Sequence, residues 1–116
     1  MLKKILLVAF QGQPMCFIHV LLNGLEMQAK GHQCKIIVEG EATKLIPEIS
    51  REGHFLNALY RQMLDKGLLE GVCRACASKM QVLEDIKAAG LPLLDDMSGH
   101  PGMTKYIEQG FEIINF

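Results

Sequence analysis

Apolar residues along the chain gather into five short continuous runs, separated by longer stretches in which they recur at helical spacing. The first run lies within Lys3 to Phe10. The other four each follow a glycine: Lys30-Gly31 precedes Cys34-Lys35-Ile36-Ile37-Val38, and Lys66-Gly67 precedes Leu68-Leu69-Glu70-Gly71-Val72. Ala89-Gly90 precedes Leu91-Pro92-Leu93-Leu94, and Gln109-Gly110 precedes the segment Phe111 to Phe116. Glycine ends a helix in the left-handed conformation without a Cβ penalty, so each phrase reads as a helix stop followed by a strand. Continuous apolar runs, rather than clean alternation, fit parallel strands covered on both faces. Four such phrases leave no room for a hairpin, and the pattern predicts an α/β fold with five parallel strands.

The intervening stretches support this. From Cys16 to Lys30 the residues Phe17, Ile18, Leu21, Leu22, Leu25 and Ala29 form a broad apolar stripe, and Ala42, Leu45, Ile46 and Ile49 form a shorter one that Pro47 is expected to shorten or kink. Phe55 to Leu64 predicts a third helix, Met80 to Ala89 a fourth, and Met103 to Gln109 a short fifth.

At 116 residues the chain is expected to be one domain spanning 1–116, with a core of its own. A net charge of −1 supplies no field for nucleic acid or an anionic membrane. The opening apolar run stops after about six residues, short of a signal peptide's core, and no run reaches the roughly 18 residues of a membrane span. The expected location is therefore the cytoplasm, where the four cysteines stand as thiols unless catalytic or metal-bound.

Parallel strands joined by right-handed crossovers bring every strand-to-helix loop to one edge of the sheet, the edge at which open α/β folds bind ligands. That edge should collect Cys16, Glu39, Glu41, Cys73, Cys76, Asp95, Asp96 and His100, with Cys34 at the opposite end. Cys73-Arg74-Ala75-Cys76 is the most informative of these segments. Two sulfurs at a strand-to-helix junction meet the positive end of a helix, which favours a thiolate, and Arg74 adds positive charge. Against this stands simple packing, since a free cysteine also serves as a small hydrophobe.

His100, in Ser98-Gly99-His100-Pro101-Gly102, reads either as a tight turn or as an imidazole that exchanges protons with a sulfur intermediate. A metal site is the other reading of the cysteine pair, with Cys16, His19 or His100 completing the set, although no second ligand pair shows diagnostic spacing. His32 and His54 are expected to cap helices or face solvent. Glu39-Gly40-Glu41 reads first as a helix start, and Asp95-Asp96 as a turn. Gln11-Gly12-Gln13-Pro14 is too poor in glycine for a P-loop or dinucleotide fingerprint, so no cofactor is expected.

Taken together, Lys3 to Phe10, Lys30 to Gly40, Gly71-Val72-Cys73-Arg74-Ala75-Cys76-Ala77 and Gly110 to Phe116 resemble the DsrE/DsrF-like family over nearly the whole chain, most closely its small cytoplasmic members. The resemblance implies a three-layer α/β/α sandwich with a parallel five-stranded sheet and oligomeric assembly. For some members it implies a sulfur-carrier role, in which a cysteine at the position of Cys73 accepts sulfur as a persulfide. It departs from the tRNA-thiolation members in having Cys76 as well.

The function expected from this reading is sulfur relay between donor and acceptor proteins in a homo-oligomer. Cys73 would attack the outer sulfur of a persulfide, Cys76 would resolve the product, and His100 would assist. The alternatives are an oligomeric binding module that holds a metal or small ligand at the same edge, and a thioredoxin-like dithiol exchanger, which would require antiparallel strands.

Overall fold

All four helix-stop glycines adopt the left-handed backbone that the sequence pattern demands, with φ of 91° at Gly31, 70° at Gly67, 72° at Gly90 and 91° at Gly110. In the computed structural model, which describes residues 1–116, each is followed within a few residues by a strand. The strands are β1 (Lys4–Ala9), β2 (Gln33–Val38), β3 (Leu69–Cys73), β4 (Leu93–Leu94) and β5 (Glu112–Asn115). The helices are α1 (Pro14–Ala29), α2 (Leu45–Ile49), α3 (Asn57–Asp65), α4 (Arg74–Lys79), α5 (Leu83–Ala88) and α6 (Thr104–Glu108). A 3-10 segment, Gly40–Lys44, leads into α2, and Pro47 lies in that short helix.

Every strand pair is parallel and the order is β4-β3-β2-β1-β5. The absence of any antiparallel pair in the sheet removes the thioredoxin-like alternative. The helical region after Cys73 is broken in two, because Gln81 takes φ 62° between α4 and α5. Neither Gly nor Pro marks that break in the sequence.

The order of strands explains an unequal pair of layers. Steps from β1 to β2, β3 and β4 run in one direction across the sheet, so right-handed crossovers lay α1 to α5 on one face. The step from β4 back to β5 runs the other way and carries α6 alone to the second face. Alternation along β1 serves both sides. Leu7 and Ala9 join Phe17, Val20, Leu21, Ile36 and Val38 in a cluster of 20 buried residues, whereas Leu6 and Val8 meet Ile37, Tyr106 and Phe111 in a cluster of 5.

Between β2 and β3 the register slips, with Leu69 opposite Ile36 and Gly71 opposite Ile37, so Glu70 is the extra residue of a bulge. It accepts a 2.8 Å hydrogen bond from the Tyr106 hydroxyl of α6 and pairs with Lys35 at 3.3 Å.

This wiring sets the functional edge. The chain leaves β3 toward α4 on the thick side, while it leaves the adjacent β4 toward α6 on the thin side. Such a divergence at the carboxyl ends of the strands is where open α/β folds bind ligands. Cys73 ends β3, and the loop carrying His100 follows β4. No helix of the protein is long and apolar enough to cross a membrane.

Candidate functional site

Cys73 turns the chain from strand to helix with φ −61° and ψ 117°, and its sulfur takes the capping role usually held by a Ser or Asp oxygen. The Cys76 backbone N–H donates to Cys73 Sγ at 3.4 Å. His100 arrives from a tight antiparallel turn. Met97 N–H donates to the His100 carbonyl at 2.7 Å and His100 N–H returns to the Met97 carbonyl at 3.0 Å. The two residues between them have positive φ, 50° at Ser98 and 91° at Gly99, as a type I′ turn requires.

That turn is docked on α4 by the Ala75 N–H, which donates to the Gly99 carbonyl at 2.8 Å. A Cβ on Gly99 would stand 3.2 Å from that of Ala75, so glycine also permits the close approach. The result is a single imidazole nitrogen beside two sulfurs. His100 Nδ1 lies 3.2 Å from Cys73 Sγ and 3.7 Å from Cys76 Sγ.

Glu39 completes the group. It is the first residue beyond β2 and the N-cap of the 3-10 segment, yet its side chain makes no capping hydrogen bond. Its carboxylate instead joins the sulfurs and the imidazole, and the four donor atoms all lie within 4.8 Å of one another. The helix-start role expected of Glu39 is thus only positional. Sequence reasoning missed its place in the cluster, for which the one available signal was that it follows a strand on the same edge as Cys73.

The remaining edge residues do not join. Glu41 pairs with Lys44 at 3.3 Å, and Asp96 pairs with Lys105 at 3.6 Å and accepts the Gly102 N–H. Cys16, in the first turn of α1, and Asp95 are outside the four-donor group. His19 is an exposed residue of α1. His32 accepts the Lys3 N–H and His54 the Leu56 N–H, each through Nδ1.

Burial reverses the expected chemistry of Cys73. The residue is 0% exposed, and loss of solvation pushes its thiol up to about 12. The Cys76 N–H works in the opposite direction, as a helix start should, but burial outweighs it, and the nearby Cys76 and Glu39 raise the value further. Arg74 is not among the charges acting on it. Cys73 is therefore a shielded thiol rather than an accessible thiolate, and Cys76 is the partly exposed residue of the pair. Glu39, 9% exposed, is also raised above the ordinary carboxyl range by burial, against a lowering influence from His100.

Fold and site together define a parallel α/β protein with two cysteines, a histidine and a glutamate gathered at the carboxyl ends of its strands. The chain belongs to the family of the uncharacterized protein MJ0733 of Methanocaldococcus jannaschii, to which it is 38% identical over 97 residues, covering 84% of this chain and 77% of that protein. An uncharacterized protein of Archaeoglobus fulgidus is 34% identical over 61 residues, 53% of this chain and 98% of the relative. No family model matches the sequence, and no solved structure matches it significantly.

Proposed function

We propose that the protein is a sulfur-handling dithiol of the DsrE-like kind, which takes sulfur from a persulfide donor and passes it on or releases it as sulfide. The observation that carries this reading is the imidazole shared between two sulfurs, 3.2 Å from one and 3.7 Å from the other. A neutral His100 protonated on Nε2 offers Nδ1 as an acceptor for either thiol proton.

The exposures support one order of events. Cys76, the partly exposed residue of the pair, attacks the outer sulfur of a donor R–S–SH after giving its proton to His100. The donor leaves as R–S⁻ and takes up that proton, and Cys76 holds a persulfide. An acceptor thiolate then removes the outer sulfur. Alternatively Cys73, its proton passing to His100, attacks the inner sulfur of Cys76, expels HS⁻ and leaves a Cys73–Cys76 disulfide that an external thiol reductant resets. Assembly into a homo-oligomer belongs to the same proposal and is supported by Met97, Ile107 and Ile114, large apolar side chains left exposed. Sedimentation at micromolar concentration should show more than a monomer.

Reduced, metal-free protein incubated with a low-molecular-weight persulfide tests the chemistry by peptide mass spectrometry. Wild type is expected to release sulfide and end as the Cys73–Cys76 disulfide. Cys73→Ser should accumulate one extra sulfur on Cys76, and Cys76→Ser should take up none. Sulfur gained equally by Cys16 and Cys34, or by no cysteine, overturns the reading.

A further inference from the structure

We propose that Cys73, Cys76, His100 and Glu39 form a four-ligand site for a divalent transition metal, with zinc the best-matched ion. This goes beyond the sulfur-transfer reading and does not depend on it. The argument begins with the composition of the cluster. Two sulfurs, one imidazole nitrogen and one carboxylate oxygen are the ligand types zinc takes, and four is the number it takes in a tetrahedral site. Their mutual separations, all within 4.8 Å, need only small adjustment to place each about 2.0–2.3 Å from a common centre.

Glu39 is the member of the group with no structural partner of its own. A carboxylate in a residue only 9% exposed normally answers to hydrogen-bond donors or a basic side chain. Here the carboxylate makes no capping hydrogen bond and lies instead with the imidazole and two thiols that become anionic when they ionise. A cation at the centre resolves this arrangement. Each thiol gives its proton to solvent as its sulfur takes the metal, the glutamate supplies a third negative charge, and His100 binds through the Nδ1 that already faces both sulfurs.

The supporting shell is built accordingly. The Cys76 N–H points at Cys73 Sγ, a hydrogen bond that a metal-bound thiolate strengthens. The Ala75 N–H to Gly99 carbonyl bond holds the His100 turn against α4, so the two ligand segments are fixed relative to each other before any metal arrives. The hard carboxylate and two soft thiolates together favour zinc over calcium or magnesium, which take all-oxygen sites.

The test uses the full chain without a histidine tag, reduced and stripped of metal, titrated with cobalt(II) chloride. Expected are one cobalt per chain, a thiolate-to-cobalt charge-transfer band and the intense visible bands of a tetrahedral ion, all displaced by zinc. His100→Ala and Cys76→Ser should each weaken cobalt binding by more than about tenfold, as should Glu39→Gln, which keeps the size of the side chain. Circular dichroism of each variant separates loss of a ligand from loss of the fold. Absence of the charge-transfer band in folded wild type overturns the site, and unchanged affinity in folded Glu39→Gln overturns the four-ligand assignment. The titration is run without a persulfide donor and the sulfur-uptake assay without metal, so either reading can fail while the other stands.

Discussion

Cys34 and Cys73 sit on neighbouring parallel strands, both buried, at opposite ends of the sheet. Burial pushes both thiols up, Cys34 to about 11 and Cys73 to about 12. By those measures they are alike, and everything that distinguishes them comes from the ends of the strands. Around Cys34 the only polar contact of its sulfur is a 4.0 Å approach to the neighbouring Lys35 carbonyl. Around Cys73 there are a backbone N–H, the imidazole of His100, a second cysteine and a carboxylate. A buried thiol is therefore packing at one end of this sheet and chemistry at the other. The difference arises because strand-to-helix loops converge at the carboxyl edge, while the amino edge receives only helix-to-strand turns.

The largest expected effect breaks or confirms this contrast through alkylation. At pH 7.5 a thiol near 11 is ionised to only about one part in several thousand, and Cys34 is shielded as well. Native, reduced protein treated with iodoacetamide should modify Cys76 at least about a hundredfold faster than Cys34, which should label only on unfolding. Raising the pH toward 11 should narrow the gap, because the Cys34 thiolate then forms. Equal native rates at pH 7.5 would erase the distinction between the two ends.

An intermediate effect is expected from Gly99→Ala. Alanine at φ 91°, with its Cβ pressed toward Ala75, should lower stability by about 1–2 kcal/mol in urea unfolding and loosen the His100 turn. Sulfur uptake and cobalt affinity should then both fall in protein that remains folded. The smallest effect is predicted for Cys34→Ala, which removes one buried sulfur at a cost of about 1 kcal/mol and should leave the chemistry of Cys76 unchanged. A change in Cys76 reactivity in that variant would mean that the two ends communicate.

The parts of this structure written most plainly in the sequence are those that depend on local backbone chemistry. The helix-stop glycines were legible because no other residue occupies their conformation cheaply, and parallel topology follows once strands alternate with helices. The same reasoning places Cys73, Cys76, Glu39 and His100 on one edge. It does not tell which residues of that edge touch. Glu39 enters the cluster, and Glu41 leaves it for Lys44, according to how a 3-10 turn directs its side chains, which spacing does not encode. The shielding of Cys73 was likewise hidden, because Gly99 and His100, which meet its sulfur, come from a loop beyond β4. Gln81 breaks the α4–α5 region in a conformation its residue type does not advertise.

The return of the chain from β4 to β5 also governs how the molecule is made. β1 is the first of the five strands in chain order and β5 the fifth, yet they are neighbours, with Ile5 opposite Glu112 and Val8 opposite Asn115. Until β5 arrives, one edge of β1 has unpaired N–H and carbonyl groups, an invitation to pairing with another chain. Helices α1 to α5 can settle on their face in the meantime, whereas Tyr106 and Phe111, which come after them in the chain, reach the other face later. Completion of the sheet therefore waits for β5, whose pairing covers that edge of β1.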